Sequence, residues 1–200
     1  FGRFAAWFNI TVFLLFLILG GFGWVEVAAV ALAEPFASGQ IGRGMAYFGV
    51  FGILSMFYGV PFSYYQTFVI EQKHGFNRQT AKGFILDRVK MIVIGGVLGG
   101  AILALVLWIM ERMGANWWLY AWAAVSSFSL LTAFIYPTLL APIFNKFKPL
   151  EDGSLKTRIN ELAAKIGFHA TGVSIMDASK RSSHGNAYFT GLFGKMKIVL

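Results

Sequence analysis

From Met91 to Met110 the chain runs for twenty residues without one charged side chain. No other feature limits its folding as tightly. A helix of that length rises about 30 Å, the thickness of bilayer hydrocarbon. In that medium each backbone N–H and C=O must be bonded within the segment, which selects helix. Three more runs have the same character. Phe4 to Ala33 is the first, with Glu26 as its one charge and Trp7 and Trp24 placed as interfacial anchors. Met45 to Ile70 is the second and is interrupted at Pro61; Tyr120 to Phe144 is the last and is bent or ended by Pro137 and Pro142. All exceed the apolar part of a signal peptide, about 7–15 residues. The sequence therefore predicts an α-helical multi-pass membrane protein with four transmembrane helices, over about 4–33, 45–70, 91–110 and 120–144.

The links between these runs fix an orientation. Glu34–Gly44 and Glu111–Trp118 carry one cation each, Arg43 and Arg112. Glu71–Lys90 carries Lys73, Arg78, Lys82, Arg88 and Lys90; nine more follow Phe144, and Arg3 precedes the first span. If the chain runs in-out-in-out-in, fifteen of the seventeen Lys and Arg share one face, and the positive-inside rule makes that face cytoplasmic. The same placement explains the net charge of +8 without nucleic acid, since no soluble basic stripe with interleaved aromatics occurs. The expected location is a bacterial inner membrane or the endoplasmic reticulum membrane. The chain has no cysteine, so disulfides and thiolate metal sites are excluded.

Some polar groups lie within the spans. Asn9, Glu26 and Ser63-Tyr64-Tyr65-Gln66-Thr67 must face other helices, a water-filled space or the interface. For Glu26 the choice is between an interfacial position near the end of a long first helix and a cavity role. The pairs Gly95-Gly96 and Gly99-Gly100 are expected to seat a neighbouring helix.

From Pro149 the composition becomes that of a soluble domain, 149–200. Asp152 or Ser154 is placed to cap a helix whose apolar face is Leu155, Ile159, Leu162, Ala163 and Ile166, and which Gly167 ends. Strands are expected at Gly172–Met176, Ala187–Thr190 and Lys197–Leu200, with a polar loop over Asp177–Asn186. One helix and three short strands seal no core unaided. The chain opens Phe-Gly-Arg and stops within an apolar strand, so it is expected to be an internal piece of something longer.

Spacing alone assigns no catalytic step. His74, His169 and His184 are far apart in sequence, and H-E-x-x-H, which sets two imidazoles and a general base on one helix face, does not occur. Walker, Rossmann and G-x-S-x-G patterns are likewise missing. Two polar stretches stand out on the cationic side, Glu71–Thr80 and Arg181–Asn186. Each reads as a solvated loop or as part of a site.

These stretches carry a resemblance. Phe68-Val69-Ile70-Glu71-Gln72-Lys73-His74-Gly75-Phe76-Asn77-Arg78-Gln79-Thr80 resembles a signature of the type I CAAX prenyl protease family, integral-membrane zinc metalloendopeptidases. So do Tyr136-Pro137, Ala141–Phe147 and Pro149–Gly153. The strongest match is Met176-Asp177 followed by Ser179–His184 and Asn186–Gly191. The match is collinear from about residue 58 to 200.

The resemblance implies seven transmembrane helices around a water-filled chamber, with a zincin-like α+β protease domain at the cytoplasmic end. This chain would supply four inner helices and the opening of that domain. Zinc is the implied cofactor, one per intact parent, with its ligands expected beyond Leu200; this stretch alone is expected to be inactive. The implied substrate is a peptide or protein, prenylated or otherwise membrane-associated, cut near its C-terminus. Asn186, Ala187, Tyr188 and Phe189 would form the edge strand against which the substrate backbone lies, with Asn186 hydrogen-bonding it. The competing class is a membrane transporter or assembly scaffold, which the four-span pattern fits equally. An H-E-x-x-H further along the parent separates the two.

Overall fold

The computed structural model describes residues 2–35, 39–168, 170–177, 181, 185, 187–190 and 196–200. Among the described residues seven α-helices precede or join a small mixed sheet. They are α1 (Gly2–Ile18), α2 (Gly21–Ala33), α3 (Gln40–Tyr65), α4 (Ala81–Arg112), α5 (Trp117–Ile135), α6 (Ala141–Phe144) and α7 (Ser154–Lys165). The strands are β1 (Phe147–Pro149), β2 (Ala170–Met176), β3 (Tyr188–Thr190) and β4 (Met196–Val199). The chain divides into two compact units, Phe1–Ile70 with Val93–Ala124, and Glu71–Ile92 with Val125–Leu200.

Among the described residues three helical stretches are long and apolar enough to cross a membrane, Gln40–Glu71, Ala81–Arg112 and Gly114–Phe144. The first expected span is corrected. α1 and α2 meet at a 71° bend, so Phe4–Ala33 is a broken pair, which brings the total to four only if that pair counts as one span. The cause is local. Gly20 is left-handed, with φ 69°, a conformation that costs other residues a Cβ clash. Behind it the Phe16 ring lies so close to Gly21 that a Cβ there would sit 2.3 Å from it. Thirty residues as one rod would also rise about 45 Å, well beyond the hydrocarbon.

In the first unit, α2 packs on α3 through a stripe spaced by four, with Gly21, Val25, Ala29 and Ala33 all buried. Small side chains at one face let backbones approach where lipid gives no hydrophobic drive. Among the described residues nothing lies within 4 Å of a Cβ built on Gly95, Gly96 or Gly99. Gly100 meets Met45 Cε at 3.7 Å, and the tight contact is at Gly44, against Leu107. Asn9 finds a partner inside the span, accepting from the Tyr58 hydroxyl beside the Phe8 and Phe62 rings. Glu26 is exposed on α2.

Pro61 does not interrupt the second span; it lies inside α3. The helix departs from α geometry later, in a π-turn at Gln66–Glu71. A second π-turn, Tyr136–Leu140, contains Pro137, and α6 then ends at Asn145, whose backbone is extended. A missing N–H and ring clash are accommodated by widening the turn.

In the second unit the sheet order is β1-β2-β4-β3. β1 is antiparallel to β2, with Lys148 opposite Ile175; β2 and β4 are parallel. β3 is antiparallel to β4, with Tyr188 opposite Val199 and Phe189 opposite Ile198. β1 was not anticipated, since three residues including a proline carry no alternation. As an edge strand it tolerates Pro149. Leu150, Ala163, Val173 and Val199 form the small buried core. The helix start differs from expectation: Gly153 is the cap without a side-chain bond, and Asp152 instead pairs with Lys156 at 2.7 Å. Its end is as expected. Gly167 is left-handed at φ 69°, its N–H bonds Ala164 O and that of Phe168 bonds Ala163 O, a double closure of the last turn. The α7 apolar face is mostly uncovered, with Leu155, Leu162 and Ile166 exposed, because α7 touches the sheet mainly at β2.

Candidate functional site

β3 occupies the end of the sheet and, among the described residues, pairs on one side only. Such a strand leaves alternate N–H and C=O groups unpaired along its outer side, a template for an extended peptide. Tyr188 and Phe189 fall here, with Ala187 just before the strand, and all three are exposed; Asn186 lies outside the described residues. Phe189 is 65% exposed and meets Phe168 edge to face at 5.7 Å. A groove of about 430 Å³, walled by Leu162, Ile166, Phe168 and Phe189, opens beside the strand. Tyr188 turns its hydroxyl to the Met176 sulfur at 3.7 Å. Partial burial, and then the neighbouring Tyr136 phenol, push its pKa above the usual 10, so it remains a neutral donor near neutral pH.

A polar cluster lies within the same unit, built by both stretches singled out in the sequence. Gln72 accepts from the Asn77 amide at 2.8 Å, and Asn77 Oδ1 accepts from the Gln79 N–H at 2.7 Å, a side-chain turn closed two residues on. Gly75, at φ 75°, makes the reversal that allows it. Thr80 Oγ1 accepts from the Gly83 N–H at 3.1 Å and caps α4. Gln79 Nε2 then donates to Asp87 Oδ2 at 2.9 Å. Asp87 receives two further bonds from the Arg181 guanidinium, at 2.8 and 3.0 Å. Arg181 also donates to Asn145 Oδ1 and, at 2.7 Å, to Phe144 O. The cavity around these groups has a volume of about 470 Å³.

Arg181 and Asn145 lie in the sequence stretches that carry the resemblance, but spacing gave neither a role. Asp87 was not singled out, because its partner is 94 residues away and no local pattern marks such a pair.

Among the described residues no three His, Asp or Glu side chains come together to hold a metal. His74 stacks beside Phe76; His169 and His184 lie outside the described residues. The described donor set therefore does not fit zinc, and no chemical step on this chain is routed through it.

Residues 1–146 match the family model described as CAAX prenyl protease N-terminal, five membrane helices, and residues 149–200 match that of peptidase family M48. The probable CAAX prenyl protease 1 of Schizosaccharomyces pombe is 39% identical over 90% of this chain and 38% of its own length. The homologue from Caenorhabditis elegans is 36% identical over 100% of this chain and 43% of its own. The crystal structure of S. mikatae Ste24p superposes with a TM-score of 0.89 at 37% identity, covering 98% of this chain and 47% of that one. The chain thus spans about two-fifths of the length of these relatives.

Proposed function

Because the chain belongs to the CAAX prenyl protease family, we propose that its intact parent is an integral-membrane zinc metalloendopeptidase. Its substrate is a membrane-associated protein or peptide, CAAX-type prenylated proteins included, cut near the C-terminus. The observation that carries the role of these 200 residues is β3, an exposed strand at the sheet end with one paired side. In this reading the substrate backbone adds to β3 as a further strand. Asn186 supplies one side-chain hydrogen bond to it, Tyr188 and Phe189 supply backbone contacts, and Ala187 joins them in an apolar wall. Alignment of this kind holds the scissile carbonyl in a near-attack position and converts binding into rate. Zinc, held elsewhere in the parent, supplies the Lewis acid. The excess of cations at Glu71–Lys90 and after Phe144 supports a cytoplasmic position for 149–200.

The test uses the intact parent in lipid vesicles with a prenylated CAAX peptide. Cleavage is expected to stop with a zinc chelator and return with zinc. Single N-methylation of the peptide backbone is expected to lower kcat/KM at every second position, where a ladder bond is lost. Uniform insensitivity to N-methylation overturns the β3 reading, and cleavage indifferent to chelation overturns the metalloprotease.

A further inference from the structure

The geometry points to Arg181 as a positioning residue, which with Asp87 fixes the stretch leading into β3 to the C-terminal end of α6. The inference rests on the reading of β3 as the substrate edge.

The Arg181 side chain meets three acceptors from two distant parts of the chain. Nε and Nη2 grip the two Asp87 oxygens at 2.8 and 3.0 Å, a paired geometry that fixes angle as well as distance. Nη2 also reaches Phe144 O at 2.7 Å, and Nη1 reaches Asn145 Oδ1. Phe144 O is among the last carbonyls of a helix, which have no partner within it and carry partial negative charge. The adjacent Ile143 O is taken by Lys90 Nζ at 3.0 Å. Two cations therefore close the helix end, and one of them belongs to the loop before β3.

The main chain is tied as well. Arg181 O accepts from the Arg78 N–H at 3.0 Å, and the Asp177 N–H donates to Lys146 O at 2.9 Å. Among the described residues β3 has β4 as its one strand partner, with Phe189 on Phe168 and Tyr188 toward Met176 beside it, so a tie at Arg181, seven residues before Tyr188, bears on where it sits. The pair is part-buried, with side-chain exposures of 33% and 21%, and Gln79 holds the carboxylate from a third direction. Exposed ion pairs seldom fix a geometry; a networked, part-buried fork does. Neither Arg181 nor Asp87 is placed against substrate in the reading above. Their effect on the reaction runs through the position of β3.

Arg181→Ala, Arg181→Lys, Asp87→Ala and the Ala–Ala double variant in the intact parent test this. A displacement of about 1 Å at a positioning element costs up to about 100-fold in rate. We expect kcat/KM per zinc-loaded molecule to fall about 10- to 100-fold in Arg181→Ala, mostly in kcat, with zinc content unchanged. Asp87→Ala should fall as far, and the double variant should be no worse than either single, because both remove one device. Lysine keeps the charge but loses the fork, so Arg181→Lys should recover less than about 3-fold. Backbone amides of 187–190 should exchange faster in these variants, and those of α7 should not. A merely structural role predicts lower thermal stability with kcat/KM per zinc-loaded molecule and 187–190 exchange both unchanged; that result, or additive losses, overturns the proposal. If Arg181→Ala fails to fold, Arg181→Lys decides, since it keeps the charge and loses the fork. Faster exchange at 187–190 is then expected, and wild-type exchange overturns. If the wild-type parent cleaves no peptide, the protease reading falls, while the exchange measurements still decide the clasp.

Discussion

Asn186 and Tyr188 are neighbours on the proposed substrate edge, yet their side chains make opposite predictions. A net hydrogen bond from Asn186 to substrate contributes roughly 0.5–1.5 kcal/mol. If it tightens as the carbonyl becomes tetrahedral, its loss appears in kcat as well as KM. In the intact parent, Asn186→Ala should lower kcat/KM about 2- to 13-fold, with zinc content and thermal midpoint nearly unchanged. A destabilised, zinc-poor variant would instead assign Asn186 to closing its own loop, as Asn often does in turns. Among the described residues the Tyr188 hydroxyl bonds a thioether at 3.7 Å, a weak acceptor. Tyr188→Phe should therefore keep kcat/KM within about 2-fold. Burial raises the Tyr188 pKa, so the neutral phenol is favoured in the fold. Its contribution to stability is complete below the ordinary value of 10 and is lost as pH rises through the raised one. Any loss of activity on the alkaline side below pH 10 should persist in Tyr188→Phe; its disappearance would contradict this assignment.

At the scale of elements, the apolar runs were legible because hydrocarbon excludes charge, and charge is visible residue by residue. Breaks inside those runs were not. Gly20 bends the first pair by 71°, while Gly95, Gly96 and Gly99 leave α4 straight enough to remain one helix, and all are glycines in apolar surroundings. The backbone is what differs: Gly20 is left-handed at φ 69°, with the Phe16 ring against its neighbour Gly21. Pro61 was overread for a related reason: a proline within a membrane helix costs less when the surroundings satisfy the freed backbone groups. In the soluble part, amphipathic spacing found α7 and alternation found β2 to β4, while β1 is too short to show a period. The Arg181–Asp87 fork was invisible, since each residue looks like any loop charge until the chain folds. The C-terminal stop of α7 was legible, and it yields a prediction. Gly167 at φ 69° should not accept a Cβ without strain of about 1–2 kcal/mol. Gly167→Ala should lower the parent's denaturation midpoint accordingly, whereas Gly153→Ala, at an extended φ of 174°, should cost less. Equal midpoints for both would mean that the left-handed turn is not what ends the helix.

At the scale of the whole molecule, the question left to decide is which side of the membrane each end of each span faces. α4 has 32 residues and rises about 48 Å, more than the hydrocarbon requires. Its first ten residues, Ala81–Lys90, contain Lys82, Asp87, Arg88 and Lys90, while Met91–Met110 contains no charge. The charged base of this helix therefore stands outside the apolar layer, on the side of the Glu71–Lys90 link. The bend between α1 and α2 admits two paths. Crossing puts Arg3 and Arg43 on opposite sides; a re-entrant path puts them on the same side, separating three cations from fourteen rather than two from fifteen. The larger asymmetry is the better fit to the positive-inside rule, so crossing is expected. The 200 residues contain no cysteine, which permits single-cysteine labelling in a parent stripped of any others. Cysteines replacing Arg3, Arg78 and Lys156 should be protected from an impermeant thiol reagent in intact bacterial cells and labelled in sealed microsomes, whose outer surface is cytoplasmic. A cysteine replacing Arg43 should show the reverse accessibility in each. Labelling of positions 3 and 43 from the same side would establish the re-entrant path and leave the rest of the topology intact. Labelling of 78 and 156 from the side opposite to the cytoplasm would overturn the orientation as a whole, and with it the cytoplasmic placement of the substrate edge.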